Sequence, residues 1–212
     1  EMKKFVLPND YPDMSSSLMH IYLIEAGPRL LAGMSEESSA HAEQFLREMG
    51  VNILLNKRVV DYRDHKVVLE DGTEIATRTF IWVSGVTGVT IGNLDASLIG
   101  RGGRIKVDSF NRVEGMNNVF AIGDQCIQLA DGNYPNGHPQ LAQVAIQQGE
   151  LLAKNLVRME KGREMKPFHY RNLGSMATVG RNRAVAEFSK VKMQGWFAWV
   201  MWLVVHLRSI LG

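Results

Sequence analysis

Cysteine is nearly absent from this sequence: Cys126 stands alone. One thiol can form neither a disulfide within the chain, nor a dithiol redox pair, nor a cysteine-rich metal site. A reduced, cytosol-facing location is therefore expected. Charge of one sign is also scarce. The net charge is only +2 and the basic residues are scattered, so nothing points to nucleic acid as a partner. His20, His41, His65, His169 and His206 are too dispersed to argue for a metal. No secretory signal opens the chain.

What is present is an ordinary folding composition, 45% apolar and 22% charged. The 212 residues suffice for one large domain or two small ones with a real core. The two ends are odd. "EMKKFVLPNDYPDMSSS" leads into a strand with no regular element before it, and the very apolar "WFAWVMWLVVHLRSILG" simply stops. The chain reads as an excised piece of a longer protein.

His20–Glu25 is an apolar run ending in an acid, followed by the Gly27-Pro28 break, as parallel strands and their loops read. Ser35 is placed to cap a helix running to Met49, with Gly50 as its stop and Ala42, Phe45, Leu46 and Met49 on one face. Val51–Leu55 is a second buried strand, completing a βαβ unit. The pattern then alternates from Arg58 to Gly85, with Asp71-Gly72 as a two-residue hairpin signal. This predicts an antiparallel meander that ends in a strand at Thr79–Val83 and a glycine-rich turn at Ser84–Gly88. A short strand is expected at Ile105–Val107 and a buried one at Asn118–Ile122. A helix is expected from Gln140 to Lys161, opened by Pro139 and closed by Gly162. Two strands flank Gly180-Arg181-Asn182.

The strand Asn118–Ile122 runs into Gly123-Asp124. At the carboxyl edge of an open α/β sheet this puts a carboxylate where ligands bind, with Gly123 permitting close approach to the backbone. A turn or cap aspartate is the alternative for Gly-Asp alone. The following helix tips the balance. Its N-terminus, with Leu141, Ala142 and Gln143 in the first turn, carries unpaired N–H groups and about half a positive charge. That suits the electron-rich edge of a reduced flavin, with Asp124 accepting from ribitol hydroxyls.

"NVFAIGDQC" followed by "HPQLAQVAIQQGELLAKNL" resembles the second flavin-binding segment of the two-dinucleotide-binding flavoproteins. More narrowly it resembles the type II, non-proton-pumping NADH:quinone oxidoreductases. "IWVSGV", with Gly85, is similar to that family's return from the NADH domain to the flavin domain, "GSMATVGRNRAVAE" to its C-terminal sheet, and the tryptophan-rich tail to its membrane anchor. The resemblance implies FAD and NADH as cofactors, with Gly85, Gly123, Asp124, Leu141, Ala142 and Gln143 at the flavin. It also implies a quinone on the face made by Gln143 and Gln147, which are four residues apart on one helix. Without the resemblance, two solvated glutamines read equally well. Glu25 matches the acid that holds the adenosine ribose of NADH, or else a solvated strand end. The glycine fingerprint that should precede it is not in the chain.

The implied fold is α/β, with partial Rossmann-like NADH and FAD domains, an antiparallel meander, and a small C-terminal α+β region. The expected boundaries are 1–84, 85–165 and 166–212. In the last, Trp196, Trp199 and Trp202 recur every three residues and share a helical face within an apolar run of ten. That is about half a membrane span, so an in-plane anchor at the cytoplasmic face of the cell membrane is expected, with Lys190, Lys192 and Arg208 toward anionic headgroups. A core or homodimer helix is the alternative. His138 reads as a solvated loop histidine and Cys126 as a packing residue. A sulfide:quinone oxidoreductase is the rival enzyme, weakened by the single cysteine, and a non-catalytic membrane-binding or dimerisation module is the rival of another class. The isolated chain is expected to be inactive, because the phosphate-binding glycine loops of both nucleotide sites are not in it.

Overall fold

In a computed structural model of the chain, residues 3, 6–89, 91–189 and 191–211 are described. Lys190 lies outside them. The chain divides into two compact units, Glu1–Ile81 with Leu173–Gly212, and Trp82–Asn172.

In the first unit a single helical turn, α1 (Leu7–Asp10), precedes β1 (Ile21–Ile24), α2 (Glu36–Glu48) and β2 (Val51–Leu54). Strands β1 and β2 pair in parallel with Ile21 opposite Val51, as a βαβ unit requires. Ser35 caps α2 by accepting from the Ser38 N–H. The meander β3 (Val59–Arg63), β4 (Lys66–Leu69) and β5 (Glu74–Ala76) is antiparallel throughout. Its turns differ from the two-residue reading of Asp71-Gly72. Leu69 N–H donates to Thr73 O and Gly72 N–H to Leu69 O, which makes a three-residue loop with Gly72 left-handed at φ +83°. The two-residue turn is Asp64-His65, both at positive φ. Nothing in an Asp-His pair advertises that conformation.

The C-terminal part of this unit is a three-stranded antiparallel sheet, β8 (Ser175–Gly180), β9 (Arg183–Phe188) and β10 (Val191–Gln194), with β9 central. It carries a helix, α4 (Gly195–Leu211). Ala184, Ala186 and Ala198 are fully buried, and such small side chains let helix and sheet approach closely. The sheet also grips α2. Ser35 donates through both its N–H and its hydroxyl to Glu187 Oε1, Lys192 pairs with Glu37 at 2.9 Å, and Arg183 pairs with Glu48 at 2.6 Å. Burial pushes the Glu187 carboxyl upward, but the hydrogen bonds from Ser35 and Ser38 outweigh it and hold the group below the usual carboxylate range.

Thr79–Val83 forms no strand. Ile81, Trp82 and Val83 are exposed, and an apolar run without a partner strand has no ladder to join. In the second unit β6 (Ile105–Val107) pairs in parallel with β7 (Cys126–Gln128), and α3 spans Ala142–Glu160. Asn118–Ile122 is not a ladder strand either. Among the described residues it meets 111–113 on one edge, through the bridge of Arg112 with Phe120 and the bonds Val113 N–H to Val119 O and Ala121 N–H to Asn111 O. A buried parallel strand needs a neighbour on each side.

Gly88 sits where another residue would not fit. Its N–H donates to Gly102 O at 2.7 Å, and a Cβ there would lie 2.3 Å from Gly103 O. Gly88→Ala must move backbone rather than a side-chain tip, so a loss of about 3 kcal/mol is expected. A chemical denaturation midpoint equal to the native one would contradict this packing.

Candidate functional site

The Gly-Asp segment is a short 3-10 turn, Gly123–Gln125, immediately before β7. Gly123 has φ +65°, which is left-handed and favours glycine. A Cβ there would meet the Ala145 Cβ at 3.2 Å, so the missing side chain also makes room for α3. The glycine lets the helix come close to the turn.

Two glutamines fasten that turn. Gln148, fully buried, accepts from the Gly123 N–H at 2.7 Å and places Nε2 3.6 Å from Cys126 Sγ. Gln140 donates to Asp124 O at 3.1 Å. The Asp124 side chain is left at the surface, and its carboxylate takes no hydrogen bond among the described residues. Cys126 is buried, and burial raises its thiol, as suits a packing residue.

Helix α3 begins with Leu141 as N-cap, no side-chain cap bond and no acidic residue in its first turn. Leu141 and Ala142 are exposed and Gln143 is half-buried. An uncapped positive helix end beside a solvent-facing carboxylate fits a group with an electron-rich ring and a hydroxylated chain, as FAD has. The buried stripe of α3 is Val144, Gln148 and Asn155. Gln147 lies off that stripe and binds a neighbouring segment. Its Nε2 donates to Arg171 O at 2.9 Å and its Oε1 accepts from Arg171 N–H at 3.1 Å. An amide has two N–H groups and two lone pairs, so one of each remains for a ligand.

Sequence reasoning missed the groups behind this face. Arg104 is buried and donates to Cys126 O at 2.7 Å and to His138 O at 3.1 Å, while burial lowers its guanidinium from the usual value. His138 is not solvated. Its side chain is 1% exposed, with Nε2 3.0 Å from Asp131 Oδ2. That hydrogen bond holds the Asp131 carboxyl below its ordinary range. A histidine in a polar, turn-rich stretch gives no sign of burial; Tyr134 and the aromatics at 168 and 170 are the signal that could have.

In the first unit, Glu25 ends β1 half-buried. Its Oε1 accepts from Gly27 N–H at 2.7 Å, while Oε2 takes no bond among the described residues. An acid at the carboxyl end of a parallel strand with a lone-pair-bearing oxygen to spare fits ribose hydroxyls. Gly85, in the second unit, is an exposed left-handed turn residue at φ +80°.

The tail is a helix, but its tryptophans do not share one exposed face. Trp196 is 54% exposed, whereas Trp199 packs on the alanine cluster and Trp202 stacks on His206 at 4.8 Å. Steps of three residues turn about 60° short of a full circle each time, which swings the later indoles onto the sheet side. The exposed apolar face is instead Trp196, Phe197, Met201, Val204, Leu207 and Ile210. No helix of the described residues is long and apolar enough to cross a membrane.

The chain is similar to known proteins in sequence and in fold. Residues 13–149 match the sequence profile of the family described as pyridine nucleotide-disulphide oxidoreductase. The chain is 33% identical over its whole length to the type II NADH:quinone oxidoreductase NdhA of Mycobacterium tuberculosis, of which it covers 46%. It thus spans about half the length of the curated relatives it matches. In fold it is similar to NDH2 of Plasmodium falciparum, solved with NADH, at TM-score 0.86 and 18% identity, covering 99% of this chain and 58% of that one. The sulfide:quinone oxidoreductase of Aquifex aeolicus is less similar, at TM-score 0.65 and 16% identity over 84% of this chain and 46% of that one.

Proposed function

This chain belongs to the pyridine nucleotide-disulphide oxidoreductase family, and we propose that the protein containing it carries electrons from NADH through FAD to a quinone without pumping protons. The observation that carries the reading is the Gly123-Asp124 turn, fastened by Gln140 and Gln148 beside the uncapped start of α3, in a chain a third identical to an NADH:quinone oxidoreductase. When bound, FAD supplies the two-electron redox chemistry. The chain's own part is orientation and electrostatics. Asp124 holds the ribitol hydroxyls, and the N–H groups of the first turn of α3, from Leu141 to Gln143, favour negative charge on the ring. Gly85 and Gly123 shape the turns against the cofactor. Glu25 grips the adenosine ribose of NADH, and its charge disfavours the extra phosphate of NADPH. Gln143 and Gln147 present neutral amides to the quinone carbonyls, adding no charge to an apolar path.

Residues 1–84 are assigned to the NADH-binding domain, 85–165 to the FAD-binding domain, and 166–212 to a region that meets the lipid surface at its cytoplasmic face. The membrane assignment is supported by the exposed apolar face of α4 and by Trp196, whose indole suits the membrane–water boundary. Trp199 and Trp202 brace that helix on its sheet. A sulfide:quinone oxidoreductase is the weaker reading: the fold is less similar, and the buried Cys126 would need a redox partner from outside this chain.

The test uses the whole protein under anaerobic conditions. NADH is expected to bleach the flavin absorbance and a soluble quinone analogue to restore it. In Gln147→Ala, bleaching continues while restoration slows by about ten- to a hundredfold, the range expected when a substrate is no longer held in its reactive orientation. A variant that no longer bleaches but otherwise handles quinone normally overturns the assignment.

A further inference from the structure

Gln147 owes its orientation to a stretch of chain that has no regular structure of its own. Residues 161–174 carry neither helix nor strand, yet the backbone of Arg171 receives both ends of the Gln147 amide. Something else must fix where that backbone runs. Phe168 is buried and donates its N–H to Ser109 O at 2.7 Å. Tyr170, the residue next to Arg171, packs on Tyr134 at 5.3 Å between ring centroids. At the centre of these rings lies His138, 5.2 Å from Phe168, 5.1 Å from Tyr134 and 5.9 Å from Tyr170.

His138 is in turn fixed at both ends. Its ring is bonded to Asp131, whose other oxygen accepts from Asn133 N–H, and its carbonyl is held by Arg104. The cluster is also costly. His138 Nδ1 and the Tyr170 hydroxyl are buried without a partner among the described residues, and an orphaned polar atom is destabilising. Burial, and then the neighbouring Tyr134, raise the Tyr170 phenol, so it stays protonated.

We propose that the buried Asp131–His138 pair is a positioning device for Gln147, setting through Phe168, Tyr134 and Tyr170 the Arg171 backbone to which the glutamine amide is clipped. The proposal rests on the reading that Gln147 faces the quinone, and neither Asp131 nor His138 touches substrate itself. Every link is a ring packing, a hydrogen bond or the peptide bond from Tyr170 to Arg171, all within one compact unit, so the coupling has a physical route from the pair to the amide.

Two measurements on the whole protein separate this from its premise. The first is amide hydrogen exchange over residues 168–172 in native protein and in His138→Ala. Exchange at Arg171 is expected to quicken at least about tenfold; unchanged exchange overturns the proposal whatever the activity. The second is a double-mutant cycle in kcat/KM for a soluble quinone analogue. His138→Ala is expected to lower it about tenfold in the native background, with flavin bleaching by NADH unaltered, and less than about twofold when Gln147 is already alanine. Equal losses in both backgrounds overturn the proposal, because His138 then acts independently of Gln147. Quickened exchange with undisturbed quinone kinetics leaves the positioning chain standing and sinks the quinone assignment. Should His138→Ala fail to fold, Asp131→Asn keeps the ring and the side-chain size, and the same two signs with smaller size are expected.

Discussion

Asp124→Ala is expected to leave the whole protein almost without bound FAD while its fold is untouched. The carboxylate stands at the surface and bonds to nothing among the described residues. The turn that presents it is held by the Gly123 N–H on Gln148 and by the Gln140 amide on the Asp124 carbonyl, and the substitution removes neither bond. Hydrogen bonds to an ionised group contribute about 1.5–3 kcal/mol each. Removing two such bonds to the ribitol chain at once would raise the dissociation constant on the order of a hundred- to ten-thousandfold. The measurement is flavin fluorescence titrated against apoprotein, with a thermal melt without FAD as control. The melt should agree with native within about 0.5 kcal/mol, as for surface substitutions elsewhere. Native flavin content in this variant would show that the carboxylate is only a turn residue.

Where the sequence is legible, one physical signal decides the outcome. Apolar periodicity and the caps Ser35 and Gly50 place β1, α2 and β2 within a residue or two of their observed ends, because local propensity and burial agree there. Antiparallel pairing in the meander follows from alternation. Where the sequence misleads, the deciding partner lies far away along the chain. Thr79–Val83 and Asn118–Ile122 have strand composition, but a strand exists only through paired strands, and among the described residues the first has no strand beside it and the second pairs on one edge. The tryptophan spacing is helical, yet which side of α4 meets the sheet is settled by Ala184, Ala186 and Ala198, small residues that attract no attention.

The candidate site shows the same division. Asp124 and the start of α3 are visible as an acid after an apolar run, followed by a helix opening. The roles of the neighbouring glutamines are not. Gln147 and Gln148 are adjacent, equally polar and equally compatible with a helix, and only a rotation of about 100° decides which faces inward. Gln148 is the one carried into the core, against Gly123 and Cys126. His138 turns inward because Asp131 and Tyr134, nearby in sequence, and Phe168 and Tyr170, far along the chain, supply the surroundings that a loop histidine lacks.

Gln148→Leu should therefore be among the most damaging single changes in the second unit, although it exchanges one side chain for another of nearly equal size. Leucine leaves no cavity to speak of, so the loss isolates the hydrogen bond. The Gly123 N–H would be stranded in a half-buried turn, costing about 1–3 kcal/mol. Gly123 holds a left-handed φ of +65° beside Ala145, and Gln148 is the group that bonds its amide there. In a chain of this size each kcal/mol lowers the melting temperature by about 2–4 °C, so a fall of roughly 2–12 °C is expected. Because the same bond aims Asp124 outward, the variant should also bind FAD about tenfold more weakly even well below its melt. Gln148→Glu separates the two effects: it keeps an acceptor for the Gly123 amide and should preserve the turn's geometry, but it places an ionisable group in the core. Burial raises that carboxyl's folded-state pKa above its unfolded value, so the variant should become less stable as pH rises and the proton is lost. A leucine variant that melts and binds flavin like the native protein would mean that the turn is held by packing against α3 alone, and the buried amide would then have no part in presenting the carboxylate.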